Sequence, residues 1–262
     1  MRDSPNKRPA SPTAQPVDYQ TIFDERGNAY DQAMVEFPDA RAEEFAEIIR
    51  LASARPGHVV CDAPSGGGYL PGYLPFADCD VIAIETSEIF YRICRDRGGC
   101  RAILTQLERI DLPDSSVDCV ISLAGLHHLP DRAAFFREAH RILKPGGSHC
   151  VADVGVDTGV ASFLNVFVNR CNSMGHRGDF FDACAPGELQ AAGFTVVEHY
   201  YRAYPWTFRS VEDMTRCVTM MFGLDRAQPA EVLAGIDEHL GYEILDGACL
   251  MNWGLIFMKG VK

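Results

Sequence analysis

The sequence predicts a doubly wound α/β fold. Three observations carry that expectation: short apolar runs that end on glycine or a carboxylate, helix-period stretches between them, and glycine or proline stops where one gives way to the other. Taken in order, the segment from Ala42 to Ala54 places Phe45, Ile48, Ile49 and Ala52 at helical spacing, and Pro56-Gly57 stops it. His58–Asp62 (HVVCD) is a short apolar strand that runs straight into Gly66–Gly68. Val81–Glu85 (VIAIE) is a second strand ending on a carboxylate, and Val117–Leu123 (VDCVISL) is a third. A helix-like stretch over Arg132–Leu143, the turn Lys144-Pro145-Gly146-Gly147 and a strand over Ser148–Val154 continue the alternation. Strands alternating with helices imply a mostly parallel sheet covered on both faces.

The second half is less regular. Ala185–Ala192 with the stop Gly193-Phe194 reads as a helix, Thr195–Tyr201 as a strand, and Met251–Met258 (MNWGLIFM) as a terminal strand. The stretch between those strands, Arg202–Leu250, far exceeds a hairpin loop of about 2–5 residues and holds helix-like segments at Val211–Phe222 and Ala230–Leu240. It reads as an inserted helical lid. The expected organisation is a disordered proline-rich tail over 1–17, a helical cover over 18–56, an α/β core over 57–201, the lid over 202–250, and a last core strand over 251–262.

Composition narrows the function classes. The 262 residues carry 24 Lys and Arg against 36 Asp and Glu, a net charge of -12, and no five-residue window is mostly basic. Nucleic acid and anionic lipid are therefore disfavoured as partners. None of the ten cysteines is spaced C-x-x-C, and Cys61, Cys119 and Cys150 lie inside strand-like runs, so reduced interior thiols are expected. The tail holds Pro5, Pro9, Pro12 and Pro16 but no apolar run, so neither a signal peptide nor a membrane anchor is expected, and the compartment expected is the cytoplasm.

The chemistry begins at Asp62-Ala63-Pro64-Ser65-Gly66-Gly67-Gly68. Small residues at the carboxyl end of a first strand let backbone approach a ligand, and the following helix start offers unpaired N–H groups. Glu85 ends the next strand 23 positions after Asp62, near the offset at which a carboxylate accepts both ribose hydroxyls of a nucleoside cofactor. Five segments in this order, DAPSGGG, VIAIE, LPDSSVDCVIS at Leu112–Ser122, LHHL at Leu126–Leu129 and RILKPGG at Arg141–Gly147, resemble the class I S-adenosylmethionine-dependent methyltransferases, especially their small-molecule (type 11-like) branch. The resemblance covers roughly residues 58–155, and AGF at Ala192–Phe194 also looks like the family.

That resemblance implies a seven-stranded sheet with an antiparallel seventh strand, and S-adenosyl-L-methionine as cofactor. It places the methionine moiety against Asp62, Ser65, Gly66 and Gly68 and the ribose on Glu85, followed by Thr86. Gln106 and Leu107 fall near the adenine, Ser122 and Leu123 beneath the methionine, and Tyr30 in the helical cover. Pro64 stands where the family has its first glycine, which forbids a positive φ and removes an N–H there. His128, with His127 beside it, is implied to face the cleft next to the transferred methyl, where an imidazole could take a proton from the acceptor. Adjacent histidines point in different directions and no surrounding constellation has zinc spacing, so no metal is expected. Tyr19, His176, Trp206 and Phe208 are the candidate acceptor contacts, and an apolar or aromatic small molecule would suit them. The chain is expected to act as a monomer or homodimer. Two rivals remain: a methyltransferase-like binding or regulatory protein without turnover, motivated by Pro64, and a nicotinamide-dependent oxidoreductase, disfavoured because the turn is not G-x-G-x-x-G.

Overall fold

A computed structural model describes residues 18–262; the proline-rich tail expected over 1–17 lies outside the described residues. In chain order the strands are β1 (Val59–Asp62), β2 (Asp80–Glu85), β3 (Arg101–Leu104), β4 (Val117–Leu123), β5 (Leu143–Asp153), β6 (Thr195–Phe208), β7 (Tyr242–Leu245) and β8 (Ala248–Val261). The helices are α1 (Tyr19–Glu36), α2 (Ala42–Ala52), α3 (Leu70–Tyr73), α4 (Glu88–Arg97), α5 (Arg132–Ile142), α6 (Gly159–Ser162), α7 (Asn169–Cys171), α8 (Ala185–Ala191), α9 (Val211–Phe222) and α10 (Pro229–His239), with a π turn at Phe163–Val168.

The sheet runs β3-β2-β1-β4-β5-β8-β6, with β1 to β5 parallel and β8 antiparallel to both β5 and β6. This is the doubly wound α/β architecture expected, with the late antiparallel strand in place. One strand is additional: β7 pairs with the start of β8 through the tight turn Asp246-Gly247, both at positive φ. An Asp-Gly pair between short runs is the usual signal for such a hairpin.

Successive residues of the central strands serve opposite faces, as a pleated strand requires. Cys119, Ile121, Cys150 and Ala152 join the core that also holds Ile48, Trp206 and Phe167, whereas Val120, Val151, Ile82 and Ile84 join the core under α5 and α8 with Phe135, Phe136 and Leu189. Side-chain caps fix where helices leave the strand ends: Ser87 Oγ accepts from the Phe90 amide at 3.2 Å to start α4, and Asp131 from the Ala134 amide at 3.0 Å to start α5.

The boundary expected at Arg202 is corrected. β6 continues to Phe208, pairing in register from Arg202↔Leu255 to Phe208↔Cys249, so Tyr204, Trp206 and Phe208 belong to the sheet rather than to a lid. Alternate inward residues of that half-strand are apolar and its partner β8 is equally long, which extends the ladder past Pro205. The segment between β6 and β7 still holds two helices, α9 and α10.

The order β3-β2-β1-β4-β5 reverses direction between β1 and β4, and a ligand crevice forms beyond the carboxyl ends at such a switch point. Asp62 ends β1, Glu85 ends β2 and Asp153 ends β5, so one sheet edge collects three carboxylates. Helix α1 packs over that edge.

Candidate active site

At the β1–β2 end of the edge, positive φ falls at Gly66 (59°) and Gly68 (72°), the two glycines retained from the motif. Pro64 therefore does not occupy a left-handed position. It packs instead against Gly125, where an added Cβ would lie 2.6 Å from the proline Cγ. The Glu85 carboxylate is fully buried and receives the Tyr19 hydroxyl at 2.9 Å and the Gly66 amide. Burial pushes its carboxyl up to about 8, against the opposing pull of those donors. Asp62, also buried, has no hydrogen-bond donor among the described residues, and burial raises its carboxyl well above the ordinary range.

These groups fit S-adenosylmethionine. A buried carboxylate without a donor suits the ammonium of the methionine moiety, and a carboxylate at the end of β2 suits the two ribose hydroxyls. Glu85 Oε1 already accepts from the Tyr19 hydroxyl and the Gly66 amide, so a ribose seated on both carboxylate oxygens would require α1 to shift or Tyr19 to turn.

Further along the edge, beside β4 and β5, lies a small, partly open cavity of about 60 Å³. Its walls include His127, His128, His176, Arg26, Trp206 and Phe222. His127 Nδ1 lies 2.6 Å from Asp153 Oδ1, and the other oxygen of that carboxylate accepts from the Leu126 amide at 2.8 Å and the His127 amide at 3.2 Å. With the proton on Nδ1, the remaining nitrogen of His127 is free to act as an acceptor. His176 is held through Nδ1 by Asn165 Oδ1 at 2.9 Å. Burial lowers the pKa of both His128 and His176 well below the ordinary imidazole range, each reinforced by a neighbouring imidazole and Arg26. Arg26 keeps a buried Nε without a hydrogen-bond partner and is lowered to about 10 by burial.

Residues 61–151 match a family model described as a methyltransferase domain. The chain carries a class I methyltransferase domain. It is 32% identical over 136 residues to a malonyl-[acyl-carrier protein] O-methyltransferase of Dechloromonas aromatica, covering 50% of each chain. Over 117 residues it is 31% identical to the ubiquinone/menaquinone biosynthesis C-methyltransferase UbiE of Hydrogenovibrio crunogenus, covering 40% of this chain and 45% of the relative. The chain thus spans about half the length of the curated relatives it matches. A solved S-adenosylmethionine-dependent methyltransferase of Thermotoga maritima shares the fold at a TM-score of 0.62 and 20% identity, over 93% of this chain and 99% of that one. S-adenosylmethionine is the cofactor of this domain family.

Within the methyltransferase domain, the structure gathers Asp62, Ser65, Gly66, Gly68, Glu85 and Thr86 at the expected edge. Ser122 is turned away: its hydroxyl donates to the Ala63 carbonyl at 2.7 Å and contacts His149 Nε2 at 3.0 Å, so only its backbone faces the crevice. Leu107 is fully buried in the core under α5, Gln106 is exposed, and Leu123 is half-buried. Tyr30 lines the histidine cavity and its hydroxyl accepts from Arg41.

Tyr19 stands between the two features, its hydroxyl bonded to Glu85 and its ring centroid 6.3 Å from that of His128. His176 and Trp206 line the cavity as expected, whereas Phe208 does not and packs instead near Phe37 at 6.3 Å between ring centroids. The expectation that adjacent histidines diverge is also corrected. His127 and His128 sit on a 3₁₀ turn over Leu126–His128 rather than on an extended strand, and their ring centroids are 4.1 Å apart. Sequence reading missed Asp153, Asn165 and Arg26. Asp153 carried the same signal as Asp62 and Glu85, a carboxylate closing a core strand. Asn165 and Arg26 carried none, because each meets the histidines only through the packing of its helix.

Proposed function

We propose that this chain transfers a methyl group from S-adenosylmethionine to a small acceptor whose reacting atom is a weakly acidic oxygen. The observation that carries the reading is the nearness of two features on one sheet edge: the Asp62–Glu85 groups and a cavity walled by three imidazoles, linked by Tyr19, which bonds Glu85 and whose ring centroid lies 6.3 Å from that of His128. When bound, the cofactor supplies a methyl on a sulfonium, open to in-line displacement. The protein's own residues do the rest.

Asp62 and Glu85 anchor the two ends of the cofactor, and the Gly66–Gly68 turn lets backbone approach between them. Asp153 positions His127 by holding its Nδ1, which leaves the other nitrogen to accept the acceptor's proton as the oxygen attacks. Phe222, Trp206 and Leu164 keep water out, and Arg26 offers a donor and a positive charge to an acceptor oxygen that becomes anionic. The cavity is small, about 60 Å³, and Ile22, Phe23, Arg26 and Tyr30 of α1 form part of its wall, so a shift of α1 that frees Glu85 from Tyr19 would also widen it for an acceptor. Alignment of two reactants in a closed site can remove about 7–11 kcal/mol of barrier, which leaves the base a lesser share.

Support for an oxygen acceptor comes from the cluster of imidazoles and the unpartnered guanidinium nitrogen; the relatives include an O-methyltransferase and a C-methyltransferase and favour neither atom. The test is transfer of a labelled methyl group to a panel of phenols, carboxylic acids, amines and thiols. The reading expects labelled product with the phenols or carboxylic acids. Transfer only to amines or thiols, or cofactor binding with no transfer to any class, would overturn it.

A further inference from the structure

One nitrogen each from His127, His128 and His176 lies within 4.8 Å of the others, in the cavity beside the cofactor edge. We propose that these three imidazoles bind a divalent transition-metal ion of the zinc type, with an open fourth position facing the acceptor. This deepens the reading of the acceptor pocket with one change, that a His127 nitrogen holding the ion no longer serves as the base, and it rests on that reading only for what the ion would do to an acceptor, not for the site itself.

The arrangement has the parts such a site needs. Metal-bound histidines ordinarily donate their second nitrogen to a carboxylate or amide oxygen, which fixes the ring and its tautomer. Here Asp153 holds His127 Nδ1 at 2.6 Å and Asn165 holds His176 Nδ1 at 2.9 Å, so in both rings Nε2 is the nitrogen left for a ligand. His128 has no side-chain hydrogen bond among the described residues, so no polar partner ties its ring, which packs against Phe23 and His176. Tetrahedral coordination at ordinary Zn–N lengths sets nitrogens about 3.3 Å apart. The present spacing therefore has to tighten, and the untethered His128 is the ring able to do it.

Donor chemistry selects the cation. Three neutral nitrogens without a carboxylate suit zinc, cobalt, nickel or copper and do not suit magnesium or calcium. Glu44, the cavity's acidic residue, is already paired with Arg41 and accepts from Trp206 Nε1 at 3.0 Å, so it is not a further ligand. Arg26 lines the same cavity with an unpartnered Nε, and a second cation there is tolerable only with an anion between the two. The open position is thus expected to hold hydroxide or the acceptor's oxyanion. An acceptor hydroxyl bound there loses its proton to solvent. Its oxygen then forms the new O–CH₃ bond as the S–CH₃ bond breaks and leaves a neutral thioether.

The probe is cobalt(II), added to the metal-stripped full chain without cofactor and followed by visible absorption, with zinc competition and magnesium as a control. One equivalent of cobalt with the intense bands of tetrahedral coordination is expected, displaced by zinc and not by magnesium. His176→Ala should abolish the bands, and Asp153→Asn should weaken binding about 10–100-fold by releasing His127. His128→Ala, at a half-buried ring, provides a second ligand variant if His176→Ala does not fold by circular dichroism. Absence of stoichiometric cobalt binding, or tetrahedral bands that survive loss of a folded variant's histidine, would overturn the proposal. Calorimetry with S-adenosylhomocysteine on the same samples separates the two readings. A chain that binds cobalt but no cofactor keeps the metal site and loses the methyltransferase reading, and one that binds cofactor but no cobalt does the reverse.

Discussion

A ribose seated on Glu85 would make cofactor binding a proton-linked event. In the free protein its carboxyl is pushed up to about 8, so at pH 7 about nine in ten molecules hold it protonated. Two ribose hydroxyls donating to that group favour the carboxylate, and binding should therefore expel close to one proton per cofactor near neutrality. Between the lowered pKa of the complex and about pH 8, affinity should rise close to tenfold per pH unit. Adenosine is the cleaner probe, because it carries the ribose and not the titrating amino group of the cofactor. Calorimetry in buffers of different ionisation enthalpy reads the proton directly. Glu85→Gln should show no release and no slope.

The same shift has a consequence for stability. Because the folded-state pKa is raised, the folded chain holds a proton that the unfolded chain releases above about pH 4.5, so stability falls as pH rises from about 4.5 to 8. From the size of the shift, the loss is about 3–5 kcal/mol. Glu85→Gln removes that term, so its melting temperature should exceed that of the wild type at pH 8.5 and match it near pH 4.5. Buffer-independent heats together with a pH-independent gap in melting temperature would refute the assignment of Glu85.

Other substitutions test neighbouring parts. Gly68→Ala should cost about 1–2 kcal/mol for its left-handed φ, and more again because the new Cβ would lie 2.6 Å from Cys94 Sγ. Gly57→Ala shares the positive φ but meets nothing within 4 Å, so the difference between their denaturation midpoints isolates the clash. Asp153→Asn should lower kcat about 100-fold while leaving the Kd for S-adenosylhomocysteine unchanged, since it positions His127 and touches no cofactor group; an equal loss in cofactor affinity would argue that it only props the edge. Trp206→Ala, at a ring 2% exposed on β6, should cost about 3–5 kcal/mol by chemical denaturation, and a loss under about 1 kcal/mol would mean that the ring is not the core element described.

The parts legible in the sequence were those whose signal is local. β1, β2 and β4 are central strands buried on both faces, and such strands read as unbroken apolar runs. β3 was not legible because Arg101–Leu104 is a four-residue edge strand with both ends exposed. The outer half of β6 was misread because Tyr204-Pro205-Trp206 looks like a break, and only the long antiparallel partner β8 reveals its ladder. The cofactor carboxylates were legible because spacing along adjacent strands fixes their distance in space. The histidine cavity was half legible: LHHL marks two of its rings, but His176 arrives from a loop beyond α7, and Asp153 orients His127 across two strands.

In the proposed function one crevice joins a cofactor held by Asp62 and Glu85 to an acceptor cavity walled by histidines. A crystal structure with S-adenosylhomocysteine bound tests it most directly. The expected complex has the ribose hydroxyls on Glu85, the ammonium on Asp62, the Tyr19 hydroxyl moved off Glu85, and the sulfur directed at the cavity of His127, His128 and His176. A ligand seated elsewhere, or one whose sulfur points away from those imidazoles while Tyr19 stays on Glu85, would contradict it.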